Sequence, residues 1–313
     1  LVSPSYADGY SLPPFPNLSK RNSILSPEKK ASSNPSKDKG TSSTPIPEGI
    51  GVFTQTGARI GLQTSYYHYQ EPDASVNVRQ KGLLFGVTLD GSLTLAHQFF
   101  AKSNARFAGG QMDYKSPSGS AKNQPDYLFD FQLLGGRDFA VSNSFGISPF
   151  IGVGYRTLYN NAKGYTDFGT IGYRRFNQLG YIPIGVEPRF AIDQDSRLSL
   201  SIEYDQVLFG EETSKLGDTG WHNTSQSVPS QVLWNDIHNY QRHGYGIRGN
   251  ITYETKRWSL GPYFSYWNLG RSNLDRLTAL GNDGNQWVST SADFVEPRNQ
   301  TEEGGFQVKY KFF

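Results

Sequence analysis

Residues Gly305-Phe306-Gln307-Val308-Lys309-Tyr310-Lys311-Phe312-Phe313 alternate apolar and polar side chains. Successive side chains on a strand point to opposite faces. Phe306, Val308, Tyr310 and Phe312 therefore share one face, and Gln307, Lys309 and Lys311 share the other; Phe313 adds one residue beyond the alternation. Upstream segments repeat the pattern. Ile60, Leu62, Thr64 and Tyr66 alternate with Arg59, Gln63, Ser65 and Tyr67, and Leu83, Phe85, Val87 and Leu89 alternate with Gly82, Gly86 and Thr88. Further strands are predicted at about 97–114, 126–139, 145–158, 173–192, 197–209, 244–255, 257–270 and 302–313, which makes the chain all-β with about ten strands.

The 313 residues are 36% hydrophobic and 14% aromatic, and no run approaches the roughly 20 apolar residues of a membrane-spanning helix. Membrane barrels instead carry their apolar surface in strands of alternating character. The absence of Cys predicts no disulfide framework and no lipoprotein anchor on the chain as given. A net charge of +2 gives no reason to expect a nucleic-acid partner. Leu1 in first position predicts a chain from which a secretory signal has been removed.

The connections sort by parity. Short links are predicted at Asp90-Gly91, Val141-Ser142-Asn143-Ser144, Asp193-Gln194-Asp195-Ser196 and Thr255-Lys256-Arg257, all rich in turn-forming residues. Longer ones alternate with them, at about 71–80, 115–125, 159–172, 210–243 and 271–301. A soluble sandwich has no reason to sort its loops in this way, whereas an antiparallel up-and-down transmembrane β-barrel has short turns at one end and long loops at the other. The last strand resembles the aromatic-terminated strand with which outer-membrane proteins end. Together with Pro149-Phe150-Ile151-Gly152-Val153-Gly154-Tyr155-Arg156 and Glu296-Pro297-Arg298-Asn299-Gln300-Thr301-Glu302, it makes residues 57–313 similar to proteobacterial outer-membrane barrels of about ten strands. The resemblance implies residence in the outer membrane of a Gram-negative bacterium, in contact with its lipid, and supplies no activity.

On the non-lipid phase fall Arg59, Gln63, Lys102, Asn104, Arg106, Asp130, Gln132, Arg156, Glu187, Arg189, Glu203, Asp205, Arg248, Asn250, Glu254 and Lys309. A charge facing lipid at the midplane costs about 2–4 kcal/mol for Arg or Lys, so the phase is fixed. Mixed signs around a narrow wall predict an ion-paired network. A ten-stranded barrel is only slightly wider than the eight-stranded type that side chains fill, so the expected lumen is closed. A narrow channel lined by charged rings is the alternative.

Residues 1–50 form a separate Pro- and Ser-rich segment, and the barrel is assigned to 51–313. Such a segment cannot bury enough apolar surface to fold alone. Tyr10, Phe15, Leu18, Ile24 and Leu25 are spaced along it as anchors for a protein partner in the periplasm or outer membrane. In the two longest loops, Trp221, Trp234 and Trp287 either roof the barrel or face outward as binding anchors.

Candidate chemistry is sparse. Asp236-Ile237-His238 has the Asp-x-His form used by the omptin proteases, which resemble this chain in strand number. The partner Asp-x-Asp is missing between Asp113 and Asp126, and Asp193-x-Asp195 falls in a turn at the opposite end. The five His, at 68, 97, 222, 238 and 243, have no compact metal-ligand spacing. No cofactor or metal is expected. The sequence therefore points to a non-enzymatic barrel acting as an anchor or binding partner, ahead of a channel and of an omptin-like protease.

Overall fold

The computed structural model describes residues 49–72, 77–223, 230–282 and 286–313. Ten strands close into one antiparallel barrel: β1 (Gly57–Gln70), β2 (Arg79–Thr94), β3 (Phe99–Ser116), β4 (Gly119–Arg137), and, after a two-residue β5 (Phe139–Ala140), β6 (Phe145–Tyr165), β7 (Ile171–Ala191) and β8 (Ser196–Lys215). Three short strands follow, β9 (Trp221–Asn223), β10 (Ser230–Trp234) and β11 (Ile237–Gln241). The wall then continues with β12 (Gly244–Thr255) and β13 (Trp258–Leu269). After β14 (Leu274–Asn282) and β15 (Trp287–Val295), β16 (Asn299–Lys311) pairs with both β13 and β1 and closes the ring. No helix among the described residues is long and apolar enough to cross a membrane.

Alternation decides which way the wall faces. Leu62 is 69% exposed and Phe85 62%, while their neighbours Gln63 and Leu84 are buried. The exposed set runs around the ring through Phe107, Phe129, Val153, Ile184, Ile202, Ile251, Phe264 and Phe306. A continuous apolar belt of this kind is the surface of a transmembrane barrel, since water-exposed proteins avoid large apolar patches. At the end of the barrel that carries the short turns, Trp258 packs edge-on against Tyr310 and Phe312 against Phe313. We call this end the base and the loop end the rim.

The strands outrun the sequence pattern at the rim. The connection expected at 115–125 shrinks to residues 117–118 between β3 and β4, the one expected at 159–172 to 166–170, and β8 continues through Lys215 rather than ending near 209. Beyond the belt both faces are wet, so apolar alternation stops while the backbone ladder continues. Asp90-Gly91 is not a turn. It lies within β2, the chain reverses at residues 95–98, and Asp90 points inward to accept a hydrogen bond from Lys309 at 2.5 Å. The long loops expected at 210–243 and 271–301 contain structure of their own: β15, β14, β10 and β9 form a separate four-stranded sheet.

One irregularity positions the rim residues. Between β7 and β8 the register shifts, so that Gly180 pairs with Phe209 but Tyr181 with Val207. Leu208 is the extra residue of a bulge, and Leu208 and Phe209 both point outward. Below it Glu203, Asp205 and Val207 face the lumen; above it Gly210, Glu212 and Ser214 do.

Candidate functional site in the lumen

Three layers fill the barrel. The floor is a strap, residues 49–56, drawn across the base with Ile50, Val52 and Thr54 buried beneath the wall. Its polar backbone is satisfied by the barrel. Asp138 accepts from the Thr54 amide at 2.6 Å and from the Thr54 hydroxyl at 3.1 Å. The Ser148 hydroxyl and Arg189 Nη1 donate to the same carboxylate at 2.6 and 2.8 Å. Arg189 Nη1 also donates to the Val52 carbonyl, and Arg197 Nη1 to those of Phe53 and Gly51. Gly51 has a φ of +51°, a left-handed conformation that a residue with a Cβ adopts at a cost. Thr94 and Ser92 hydroxyls bind the Thr54 and Gln55 carbonyls.

Above the strap lies a cavity of about 250 Å³, walled by paired charges. Arg59 and Arg197 share Glu254 at 2.6 and 3.0 Å, and Lys102 and Arg189 share Glu187 at 2.6 and 2.7 Å. Arg106 pairs with Glu303. Arg248 reaches Asp205 at 2.7 Å, Asp130 at 3.0 Å and Glu203 at 3.6 Å.

The third layer is an aromatic septum. Tyr181 and Trp267 meet edge to face with centroids 5.1 Å apart, over Leu179, Val207 and Leu269. Arg248 lies over both rings at 4.9 and 5.1 Å, and Arg156 lies over Trp267 at 5.3 Å. The Tyr181 hydroxyl donates to Asp130 at 2.9 Å and accepts from Arg248 at 2.6 Å. Gly154 makes room for the septum: a Cβ there would stand 2.1 Å from the Tyr181 ring. A second buried cluster, Tyr67, Leu84, Ala108 and Met112, thickens the adjoining wall.

Toward the rim lies a small cavity of about 30 Å³, space for about one water. There Arg175 stands between Glu71 at 3.4 Å and Glu296 at 3.8 Å, and the Tyr69 hydroxyl donates to Glu71 at 2.9 Å. Burial pushes the Glu296 carboxyl up to about 8, against the pull of Arg175 and with the help of Glu212 and Glu71. In the rim loop, hydrogen bonds from Arg174 and then Lys163 hold Asp218 below the usual carboxylate range.

The Asp-x-His segment lies elsewhere. Asp236 accepts from Lys215 Nζ at 2.9 Å, and His238 Nδ1 sits 2.9 Å from Glu211 and 3.4 Å from the Thr213 hydroxyl. Glu211 and Thr213 are on the outer face of β8 above the bulge, so this pair looks away from the lumen. Thr213 and Glu211 both meet the same ring nitrogen, which does not make a relay from acid through imidazole to nucleophile. Among the described residues no three His, Asp or Glu side chains converge as a metal site.

All eleven predicted network residues, Arg59, Lys102, Arg106, Asp130, Arg156, Glu187, Arg189, Glu203, Asp205, Arg248 and Glu254, lie on the inner wall. Sequence reasoning missed Asp138, Arg197 and Glu303. Each sits on the inward phase of its strand or strand end, as the alternation from Gln132, Glu203 and Lys309 would have indicated. Trp287 is 53% exposed on β15, and Trp234 is half-buried at the end of β10. The Trp221 side chain and Tyr10, Phe15, Leu18, Ile24 and Leu25 lie outside the described residues.

No family model matches the chain, and no curated protein matches it. Among solved structures it is similar to the outer membrane protease OmpT from Escherichia coli, with TM-score 0.46 and 10% identity over 84% of this chain and 98% of that one. It is also similar to the translocator domain of autotransporter NalP from Neisseria meningitidis, with TM-score 0.36 and 11% identity over 83% and 90%. The Pseudomonas putida toluene transporter TodX gives 0.31 and 8% over 82% and 90%. These likenesses are of barrel architecture; the fold itself stands on the strand pairing and the apolar belt.

Proposed function

We propose that this chain is a non-enzymatic barrel of the Gram-negative outer membrane that holds its N-terminal segment at the periplasmic mouth as an arm for another envelope component. The observation that carries the reading is the strap. Residues 49–56 are hydrogen-bonded to the base by Asp138, Arg189 and Arg197, and Ile50 is held beside the Gln194 turn. The septum supports a closed lumen: Tyr181, Trp267 and two guanidinium groups occupy the path that a solute would take.

A narrow channel is the second reading, favoured by the 250 Å³ cavity. An omptin-like protease is the third, and the outward placement of Asp236 and His238 counts against it. The test is co-purification from solubilised membranes with the full chain and with a variant lacking residues 1–40. The anchor reading expects both to assemble, with a specific envelope component lost from the truncated form. Equal recovery of that component by both forms would reject the arm, and a stable ion-selective current from the full chain in planar bilayers would favour the channel.

A further inference from the structure

We propose that the base half of the lumen cavity is a binding site for a small oxyanion of the phosphate or sulfate class. Four cations that line it, Arg59, Lys102, Arg189 and Arg197, share two carboxylates, Glu254 and Glu187. A third carboxylate, Asp138, pairs with Arg189 at 2.8 Å while also holding the strap amide and hydroxyl of Thr54, and Asp90 pairs with Lys309 at 2.5 Å, so that five cations meet four carboxylates beside the strap. At the septum end the balance reverses: Arg106, Arg156 and Arg248 stand among four carboxylates, Asp130, Glu203, Asp205 and Glu303. Positive charge is therefore concentrated beside the strap rather than spread along the lumen.

A second observation points the same way. The cavity-lining residues include four buried N–H donors without an acceptor: Arg189 Nη2, Arg197 Nε, Arg106 Nε and Gln63 Nε2. Beside the strap no carboxylate or amide oxygen of these residues is orphaned in the same way; Asp205 Oδ1, at the septum end, and the Thr88 hydroxyl, which can donate, are. Buried donors normally find acceptors, and these four have none among the side chains around them. Water supplies oxygens but no negative charge. A tetrahedral oxyanion supplies both, and guanidinium groups bind such anions through paired N–H groups. The cavity, about 250 Å³, has room for a tetrahedral oxyanion.

The test uses the purified full chain in a non-ionic detergent, titrated with inorganic phosphate at constant ionic strength against chloride and followed by ³¹P line broadening and by the thermal midpoint. The expected result is saturable phosphate binding with a raised midpoint, weakened at least tenfold by Arg59→Gln and by Lys102→Gln. Each of these residues pairs with a carboxylate of the wall, and Lys163→Gln at the rim should bind as the parent does. Absence of saturable binding to the unmodified chain overturns the proposal whether or not the variants fold. So does a site that chloride fills equally well, or one that Arg59→Gln and Lys102→Gln leave intact.

Discussion

Replacing Asp138 with Ala should release the strap. The carboxylate is 1% exposed and accepts four hydrogen bonds, two from Thr54, one from Ser148 and one from Arg189. Hydrogen bonds to a charged group contribute about 1.5–3 kcal/mol each, but they are not additive, and Arg189 retains Glu187 at 2.7 Å. Breaking a buried pair by removing one partner costs about 3–5 kcal/mol. Taking the lower end for opening of the strap alone, about 3 kcal/mol at ~1.4 kcal/mol per tenfold raises the open fraction roughly 100-fold. The native chain has no thiol, so Val52→Cys, buried at 4% exposure, reports opening through its rate of maleimide labelling. The expected outcome is slow labelling in the parent background and about 100-fold faster labelling with Asp138→Ala, while the heat-modifiable barrel band persists. Equal labelling rates in the two backgrounds would refute the role given to Asp138.

Trp267→Ala removes half of the septum; it should cost about 3–5 kcal/mol and raise single-channel conductance above a parent that stays near background. Glu296 has a folded pKa raised to about 8, so between the ordinary carboxylate range and that value the folded state holds a proton that the unfolded chain has lost, and stability falls as pH rises through this window. Glu296→Gln should flatten that slope and gain up to about 5 kcal/mol over the parent above pH 8, at ~1.4 kcal/mol per unit, with Arg175 keeping Glu71; a parallel pH profile for the two chains rejects the assignment. Single Cys at residues 97, 143, 195 and 256 should be protected from labelling outside intact cells, and Cys at 274 and 287 reachable; the reverse pattern inverts the topology. Purified barrels should cleave peptides no faster than the Asp236→Ala or His238→Ala forms, and a loss of genuine turnover in either would restore the protease reading.

How far the sequence could be read follows the solvent on each face. Across the belt, lipid on one side and charge on the other force a period of two, which is why Leu83 to Leu89 and Phe306 to Phe312 announce their strands. Above the belt nothing enforces it. Residues 119–121 and 124–125 of β4 pair with β3 on either side of a bulge at Lys122 and Asn123, through a backbone ladder that leaves no mark on side-chain choice. Asp90-Gly91 has turn composition, yet its carboxylate is there for Lys309, which is distant in sequence. The strap was hidden for the same reason: Ile50, Val52 and Thr54 look like the end of a polar segment until Asp138 and Arg189 are brought beneath them. Charged lumen residues were legible because their phase was. Their partners were not, since pairing depends on how strands stagger around the ring.

The extra residue at Leu208 acts as a parity switch. One residue in β8 decides that Glu212 looks into the mouth while Glu211 and Thr213, with His238 beside them, look out. Removing that residue would exchange the two sets without altering any side chain's identity, because a shift of one position turns every later residue of a strand over. The wall therefore stores two settings of β8 in one sequence, with either Glu212 or Glu211 and Thr213 facing the mouth, separated by a single-codon deletion rather than by a set of substitutions. Strand count and belt composition would not record such a change.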